Sequence, residues 1–225
     1  MTFQAPEANK HQRNRAAYAA FTARIERLCR TDPGARAALR AGLRRDLNHP
    51  RARDMHRLLT PLLPEEYDDR SAQAHYTVAA LIAAQPRHAF ATDQEDGEDT
   101  AVEVEAVTTR QVLHEEGEPD KGSAAQGPTP YGHSFGATLG HAVTAKGASM
   151  RMSAAESCVN LLTRQSLRGI HLHLPSAVNQ VRTTDATIDW GQLLTDLVDW
   201  PYQSGRISRR WLQDFYRITA HADQD

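Results

Sequence analysis

Apolar residues recur every three or four positions along most of this chain, and short polar or proline-containing breaks separate the runs. Tyr18, Phe21, Ile25 and Leu28 form the first run. Such spacing puts apolar side chains on one face of an α-helix. Strand-like alternation is scarce by comparison. We therefore expect an all-α protein, a compact helical bundle in two helical halves joined by a long acidic loop.

The N-terminal half, residues 10–90, carries clear helix start and stop signals. Asp32 is placed to cap a helix that has Pro33 at its first position, and the Leu39, Leu43, Leu47 stripe follows before a break at Asn48-His49-Pro50. A segment from about 71 to 84, "SAQAHYTVAALIAA", is small and apolar on most faces. We expect that segment to be a deeply buried helix, closed by Pro86.

Residues 91–132 differ in composition from the rest. This stretch is acidic at both ends, and its tail is rich in Gly, Pro and Ser, which is typical of an insertion or loop. Its middle, "AVEVEAVTTRQVL", alternates well enough to predict a short hairpin or strand. Two interpretations of the insertion stay open: a shield over a basic face, or an inert solvated loop.

The C-terminal half, residues 133–222, returns to helical patterns. Small residues in "SFGATLGHAV" predict close helix contact, and "AAESCVNLLTRQ" is expected to turn Val159, Leu161 and Leu162 inward. "LPSAVNQVR" predicts a short helix. Asp189 and Gln192 form a capping-box pattern before a helix that we expect Pro201 to end. A last helix carries the apolar residues Ile207, Trp211, Phe215 and Ile218.

Composition bounds the class of protein. The lack of a long uncharged apolar run excludes a membrane span, and the N-terminus lacks the apolar segment of a secretory signal. Cys29 and Cys158 lie far apart and form no CxxC pair, which favours buried thiols in a reducing compartment. We expect a cytoplasmic protein with no membrane partner.

Charge is strongly segregated along the chain. Residues 1–60 hold 13 Lys and Arg against 5 Asp and Glu, whereas residues 61–132 hold 4 against 15. Arg36, Arg40 and Arg44 lie four apart on one helix face, beside the leucine stripe. Guanidinium groups bind phosphate bidentately, so this ridge suits a nucleic-acid backbone. Ordinary solvated helix surface is the alternative.

A second basic cluster lies near the start of the last helix and consists of Arg206, Arg209 and Arg210. Helix N-termini also favour phosphate, because their amides are free and the helix dipole is positive there. Reversing all three arginines to Glu is expected to weaken DNA retention and leave the fold intact.

Two patterns suggest catalysis and neither is well supported. "GHSFG" has the spacing of a hydrolase nucleophile elbow, but the residues before Gly132 cannot form the buried strand that an elbow needs. Ser134 is better explained as a helix N-cap. His171 and His173 stand two apart, so their side chains diverge on a helix. The sequence therefore predicts no enzyme, no metal site and no cofactor.

Several segments of the chain resemble the CasB family, the small α-helical subunit of the type I-E CRISPR Cascade complex. The segments outside residues 91–132 that carry the resemblance are "IDWGQLLTDLVDW", "SGRISRRWLQDFY", "SFGATLGHAV", "CVNLLTRQ", "DPGARAALR" and "AQAHYTVAALIAAQP". The resemblance implies an all-helical, non-catalytic subunit. It also implies that two copies pack head to tail against the large, backbone and other Cascade subunits near the guide RNA. Their basic faces would hold target DNA and the displaced single strand.

The resemblance also implies particular contact residues and two departures from the family pattern. Matched by position, the family's basic contacts fall on Arg40, Arg70 and Arg206. Glu156-Ser157 stands where family members usually have a basic pair, and Arg164 and Arg168 are the nearby candidates to replace that contact. The acidic stretch 91–132 is longer than the family's usual connection. A stand-alone helical DNA-binding or adaptor protein remains the alternative function.

Overall fold

The computed structural model describes residues 5–63, 68–86, 132–145 and 150–222, and side chains from residue 14 onward. These ranges contain eight α-helices and no strand, which confirms the all-α prediction. The helices are α1 (Ala5–Thr31), α2 (Pro33–Ala41), α3 (Arg53–Leu59), α4 (Asp69–Ala83), α5 (Phe135–Thr144), α6 (Met152–Thr163), α7 (Leu167–Val181) and α8 (Trp190–Ala222). Two 3₁₀ turns, Pro50–Ala52 and Thr60–Leu62, flank α3.

The connection from α1 to α2 forms as the sequence predicts. The Asp32 carboxylate accepts a hydrogen bond from the Ala35 amide at 2.9 Å, and Pro33 occupies the first helical position. However, α2 ends at Ala41, well before the predicted break at Pro50. A turn follows instead, and it leaves Leu43 and Leu47 half-buried against the core.

Helix α4 lies at the centre of the molecule. Every residue from Ala74 to Ala83 is buried, because the segment is small and apolar on most faces and helices α1, α2, α7 and α8 pack around it. Asp68 caps α4 by accepting a hydrogen bond from the Ser71 amide at 2.9 Å. The predicted buried helix over residues 71–84 is therefore confirmed.

Helix α5 packs closely against the second half of α8. A Cβ atom on Gly136 would lie 1.9 Å from the Trp211 carbonyl oxygen, so only glycine permits this approach. Gly140 faces Ile218 in the same contact. Ser134 caps α5, since its Oγ accepts a hydrogen bond from the Ala137 amide at 3.1 Å.

The sequence-based expectations for α6 and α7 need two corrections. Val159 and Leu162 are buried as predicted, but Leu161 is 47% exposed. The buried face of α6 consists of Ala155, Cys158, Val159 and Leu162, and Leu161 lies outside that face. Helix α7 begins at Leu167, capped by Ser166, so it is a 15-residue helix and not a short one. Pro175 lies inside α7 and is buried there.

Helix α8 consists of two arms that meet at a sharp bend. Gln203 has non-helical backbone angles (φ −131°, ψ 22°), two residues after Pro201. The rings of Trp200 and Trp211 lie 5.4 Å apart, a separation that a straight helix could not give residues so far apart in sequence. Pro201 therefore lies at the end of the first arm, and the chain turns directly into the second arm.

The start of α8 is capped in a way that differs from a capping box. Asp189 accepts a hydrogen bond from the Gln192 amide at 2.8 Å, as the sequence predicts. The Gln192 side chain does not return to Asp189. It donates to the Asp196 carboxylate at 2.8 Å and accepts from the Gly132 amide at 2.7 Å.

One hydrophobic core spans both halves of the chain. Residues from α1 to α4 and residues from α5 to α8 belong to the same buried cluster, whose largest members include Trp200, Trp211 and Phe135. Cys29 and Cys158 are buried in it as free thiols, and burial raises the pKa of each to about 11. Apart from Gly132, the insertion 91–132 and its predicted hairpin lie outside the described residues.

Candidate nucleic-acid interface

A broad groove of about 1160 Å³ runs between α2, the end of α4 and the C-terminal part of α7. It adjoins a recess of about 380 Å³ that extends past the end of α2. We call the two together the basic groove. No Asp or Glu is among its described lining residues. Five arginines line it, namely Arg30, Arg36, Arg40, Arg44 and Arg182.

Helix α2 contributes two of these arginines from one face, whereas Arg44, predicted on the same helix face, lies in the turn after α2. Arg36 and Arg40 lie four residues apart, while Ala35 and Leu39 on the neighbouring face are buried in the core. Burial of the apolar stripe thus fixes the orientation of the helix and turns its basic face toward the groove. Arg40 is exposed there.

Arg36 and Arg182 close the C-terminal end of α4. Arg36 donates through Nε to the Ala83 carbonyl at 3.1 Å and through Nη2 to the Gln85 carbonyl at 2.5 Å. Arg182 donates through Nη1 to the Ala84 carbonyl at 2.9 Å and through Nη2 to the Leu81 carbonyl at 2.5 Å. Helix C-termini leave carbonyl groups unpaired and carry partial negative charge, so both contacts are favourable.

Two arginines of the basic groove lie close enough to affect each other electrostatically. Burial lowers the pKa of Arg182, and the nearby positive charge of Arg40 lowers it further. Like charges this close repel one another unless an anion is bound between them. The groove is therefore a surface on which a bound phosphate would lower the electrostatic energy.

The other predicted arginines are distributed over the surface outside the groove. Arg70 is exposed in the first turn of α4. Arg164 follows the end of α6, and Arg168 lies in the first turn of α7, both exposed. None of these three lines the basic groove.

The second basic cluster lies at a different site, at the bend of α8. Arg206 and Arg209 are exposed and line a recess of about 320 Å³ that also contains Asp196 and Asp199. Arg210 forms an ion pair with the buried Asp196 carboxylate. Reversal of Arg210 would leave that carboxylate buried beside a second negative charge, so the expectation that the triple reversal leaves the fold intact needs revision.

Glu156, which stands where the resemblance implies a basic residue, has a contact within the fold. Its carboxylate accepts a hydrogen bond from the Tyr216 hydroxyl at 2.8 Å, and this bond raises the pKa of Tyr216. The acidic residue thus ties α6 to the second arm of α8.

The sequence interpretation missed Arg30 and Arg182. Arg30 lies in the last turn of α1 and is separated from the α2 ridge by the Asp32 cap, while Arg182 directly follows α7. The predicted helix "LPSAVNQVR" already ends at Arg182, but no local signal in the sequence shows that this end packs against α4 beside the α2 ridge.

The hydroxyl of Ser134 is used inside the fold. Ser134 is buried, and its Oγ donates to the Asp214 carboxylate at 2.7 Å while it caps α5. Among the described residues no group of three or more His, Cys, Asp or Glu is placed to hold a metal ion. None of the described helices is both long enough and apolar enough to cross a bilayer.

The fold and the basic groove define an all-α protein whose most distinctive surface is cationic. The chain belongs to the CRISPR-associated protein Cse2 family, whose family model matches residues 35–216. The resemblance to CasB that the sequence motifs predict is thereby confirmed. A comparison with curated protein sequences finds no match.

Three solved structures are also similar to this chain in fold. A chain of a CRISPR RNA-guided surveillance complex in a pre-nicking state is 29% identical, with a TM-score of 0.70, and the match covers 93% of this chain and 97% of that one. A chain of another CRISPR RNA-guided surveillance complex is 27% identical, with a TM-score of 0.70 and coverage of 94% and 98%. M. ruber CasB shares the fold, at 19% identity, a TM-score of 0.61 and coverage of 92% and 97%.

Proposed function

We propose that this chain is the small, non-catalytic subunit of a type I-E CRISPR RNA-guided surveillance complex, Cascade. Its basic groove would bind the sugar-phosphate backbone of target DNA and of the displaced strand, near the guide RNA, and so stabilise the R-loop. The observation that carries the proposal is the groove itself, where five arginines line two adjoining cavities and no carboxylate is among the described lining residues.

The chemistry of the groove suits backbone binding without sequence reading. Guanidinium groups form bidentate hydrogen bonds with phosphate and stack on exposed bases. In RNA-guided complexes the guide reads the sequence by base pairing, so a subunit of this kind needs only charge and shape. Arg40 and Arg182 both line the main cavity and the adjoining recess, and Arg40 is the more exposed of the two.

The proposed partners follow from the family and its structural neighbours. Two of the solved structures to which the chain is similar are CRISPR RNA-guided surveillance complexes. By the resemblance, the partners of this chain are a second copy of itself and the large, backbone and other Cascade subunits in the cytoplasm. Arg70, Arg164, Arg168, Arg206 and Arg209 are exposed and are proposed as additional backbone contacts. We leave Arg210 out, because Asp196 already binds its guanidinium.

Charge reversal in the groove tests the proposal. We expect Arg30→Glu with Arg40→Glu to weaken DNA binding by the assembled complex roughly tenfold or more, because each change removes a phosphate contact and adds repulsion. The slope of log K against log salt should also fall by about 0.7 per lost contact to a single strand. Fluorescence anisotropy over a salt series would measure both quantities.

A matched control reverses two exposed arginines of α3, Arg53 and Arg57, which do not line the basic groove. This control makes the same change in net charge, so equal losses in the two variants would contradict a localised site. A third variant, Arg206→Glu with Arg209→Glu, tests the second cluster without breaking the ion pair of Arg210. Unchanged affinity in the Arg30/Arg40 variant would refute the proposed function of the groove.

A further inference from the structure

Arg44 has an unusual backbone conformation. Its φ angle is 61°, and it is the one non-glycine residue with positive φ in the part of the chain that the structure describes. A residue with a Cβ atom is disfavoured in this left-handed region, and the residues that adopt it routinely are Gly and, less often, Asn and Asp. Unlike Asn or Asp, an arginine has no short polar side chain that can hydrogen-bond its own backbone in this conformation. Contacts with neighbouring residues must therefore hold Arg44 in it.

Hydrogen bonds from α4 hold the turn that contains Arg44. The Gln73 side chain donates to the Arg45 carbonyl at 3.0 Å and accepts from the Leu47 amide at 3.1 Å. His56 Nε2 lies 3.1 Å from the Leu47 carbonyl oxygen. Strained conformations persist where neighbouring contacts over-determine them, and these contacts fix the backbone immediately after Arg44.

The turn aims the Arg44 side chain across the recess of the basic groove. Arg44 Nη2 donates to the Ser176 hydroxyl on α7 at 2.6 Å, and Arg40 and Arg182 line the same recess. Arg44 and Ser176 are both exposed, and water competes for an exposed hydrogen bond to a neutral acceptor. This contact is therefore too weak to explain why the chain keeps a strained arginine at this position.

We propose that Arg44 is a nucleic-acid-binding residue that a strained turn holds in place over the basic groove. A backbone phosphate would replace the Ser176 hydroxyl as the acceptor of its guanidinium, next to Arg40. The strained turn, fixed by Gln73, positions the guanidinium before the ligand arrives and so reduces the ordering that binding requires. The inference rests on the proposed function of the groove.

Three substitutions at Arg44 separate the backbone from the side chain. Arg44→Ala removes the guanidinium and keeps the strain, Arg44→Gly removes both, and Arg44→Lys keeps the charge and the strain. We expect the isolated Gly variant to melt about 2–4 °C above the Ala variant. In the complex purified from cells that express the whole operon, the Ala and Gly variants should both bind a fluorescent single strand several-fold more weakly. The salt slope should fall by about 0.7, the single-strand value for one lost phosphate contact. The Lys variant should retain the slope.

Ser176→Ala is the control for a purely structural role. If Arg44 only braced α7, removing its acceptor would lower the melting temperature as much as Arg44→Ala does, and the inference would be wrong. It would also be wrong if the Gly variant melted no higher than the Ala variant, or if both bound DNA like the native chain. Loss of affinity in the Arg30/Arg40 variant with none at Arg44 would overturn this inference alone, whereas no loss in either would overturn the proposed function as well.

Discussion

His171 is a buried histidine that makes no hydrogen bond within the fold and stays uncharged at neutral pH. It is buried in α7, and neither ring nitrogen has a hydrogen-bond partner in the structure. Burial lowers its pKa to about 4. His75 in α4 is also buried and its pKa is also lowered to about 4, although its Nδ1 lies 2.8 Å from the Ser71 carbonyl oxygen.

These two histidines predict acid sensitivity. The folded chain binds their protons less tightly than the unfolded chain, so their contribution to stability is full above pH 6.5 and is lost as the pH falls toward 4. We expect His171→Leu to leave stability at pH 7 unchanged or slightly higher, because it removes two unpartnered polar atoms. At pH 5 the variant should be more stable than the native chain by about 1–2 kcal/mol.

Urea denaturation at pH 7 and at pH 5 would measure this difference. His221→Leu is a suitable control, because His221 is exposed in the last turn of α8. Equal acid sensitivity in the native chain and in the His171→Leu variant would contradict the assignment of the effect to His171.

At the scale of single elements, α8 depends on a buried carboxylate that joins its two arms across the bend. Asp196 in the first arm accepts hydrogen bonds from Gln192 in the same arm, and from Arg210 and from Trp211 Nε1 (2.7 Å) in the second arm. Burial raises the pKa of Asp196, and the charge of Arg210 opposes that shift. The bend is thus held in part by an ion pair, and removal of Arg210 alone leaves the Asp196 carboxylate buried without this counter-charge.

Removing Arg210 alone should therefore destabilise the fold. We expect Arg210→Met to lower the free energy of unfolding by about 3–5 kcal/mol at pH 7, because Asp196 is then buried without its counter-charge. The loss should be smaller at pH 5. A carboxyl group with a raised folded-state pKa contributes stability at low pH that disappears as the pH rises through that pKa.

A rescue variant and a control variant test this prediction further. Asp196→Asn combined with Arg210→Met should recover much of the loss, since an amide can still accept from Trp211. Arg209→Met, at the exposed neighbouring position, should change stability by less than about 0.5 kcal/mol. Equal effects at Arg209 and Arg210 in thermal or urea unfolding would show that the ion pair does not hold the bend.

Helices marked by apolar periodicity and capping residues could be predicted from the sequence. The basic groove could not, because it forms between helices that are distant in the chain. Helix α4 and the caps at Asp32 and Ser134 each depend on residues near one another in the chain. The small residues of α5 predict a close helix contact, but they do not show that Gly136 meets Trp211. The groove depends on how α7 packs against α4, which brings Arg182 to the α2 ridge. Leu161 was misplaced for the same reason, because its exposure depends on which neighbours cover α6.

At the scale of the whole molecule, the two halves of the sequence share one hydrophobic core. Helix α8 from the C-terminal half packs against α1 and α4 from the N-terminal half, and a single buried cluster includes both. Neither half contains the whole core, because α1 and α4 pack against α8, which follows the insertion.

Cutting the chain within residues 91–131 tests this organisation. We expect the two fragments of a chain cut at an introduced protease site to remain associated on size-exclusion chromatography and to melt in one transition, because the shared core holds them together. Residues 1–90 expressed alone should fail to fold, as judged by circular dichroism. A folded, monomeric fragment 1–90 would instead establish two independent domains.

The attachment of Arg36 and Arg182 to the end of α4 limits how this protein can evolve or be engineered. Those two positions serve the fold and the groove at once, so a mutation that tunes affinity there also alters stability. Binding strength is therefore less costly to adjust at the exposed Arg40, which lines both cavities, than at the two positions that bind the end of α4.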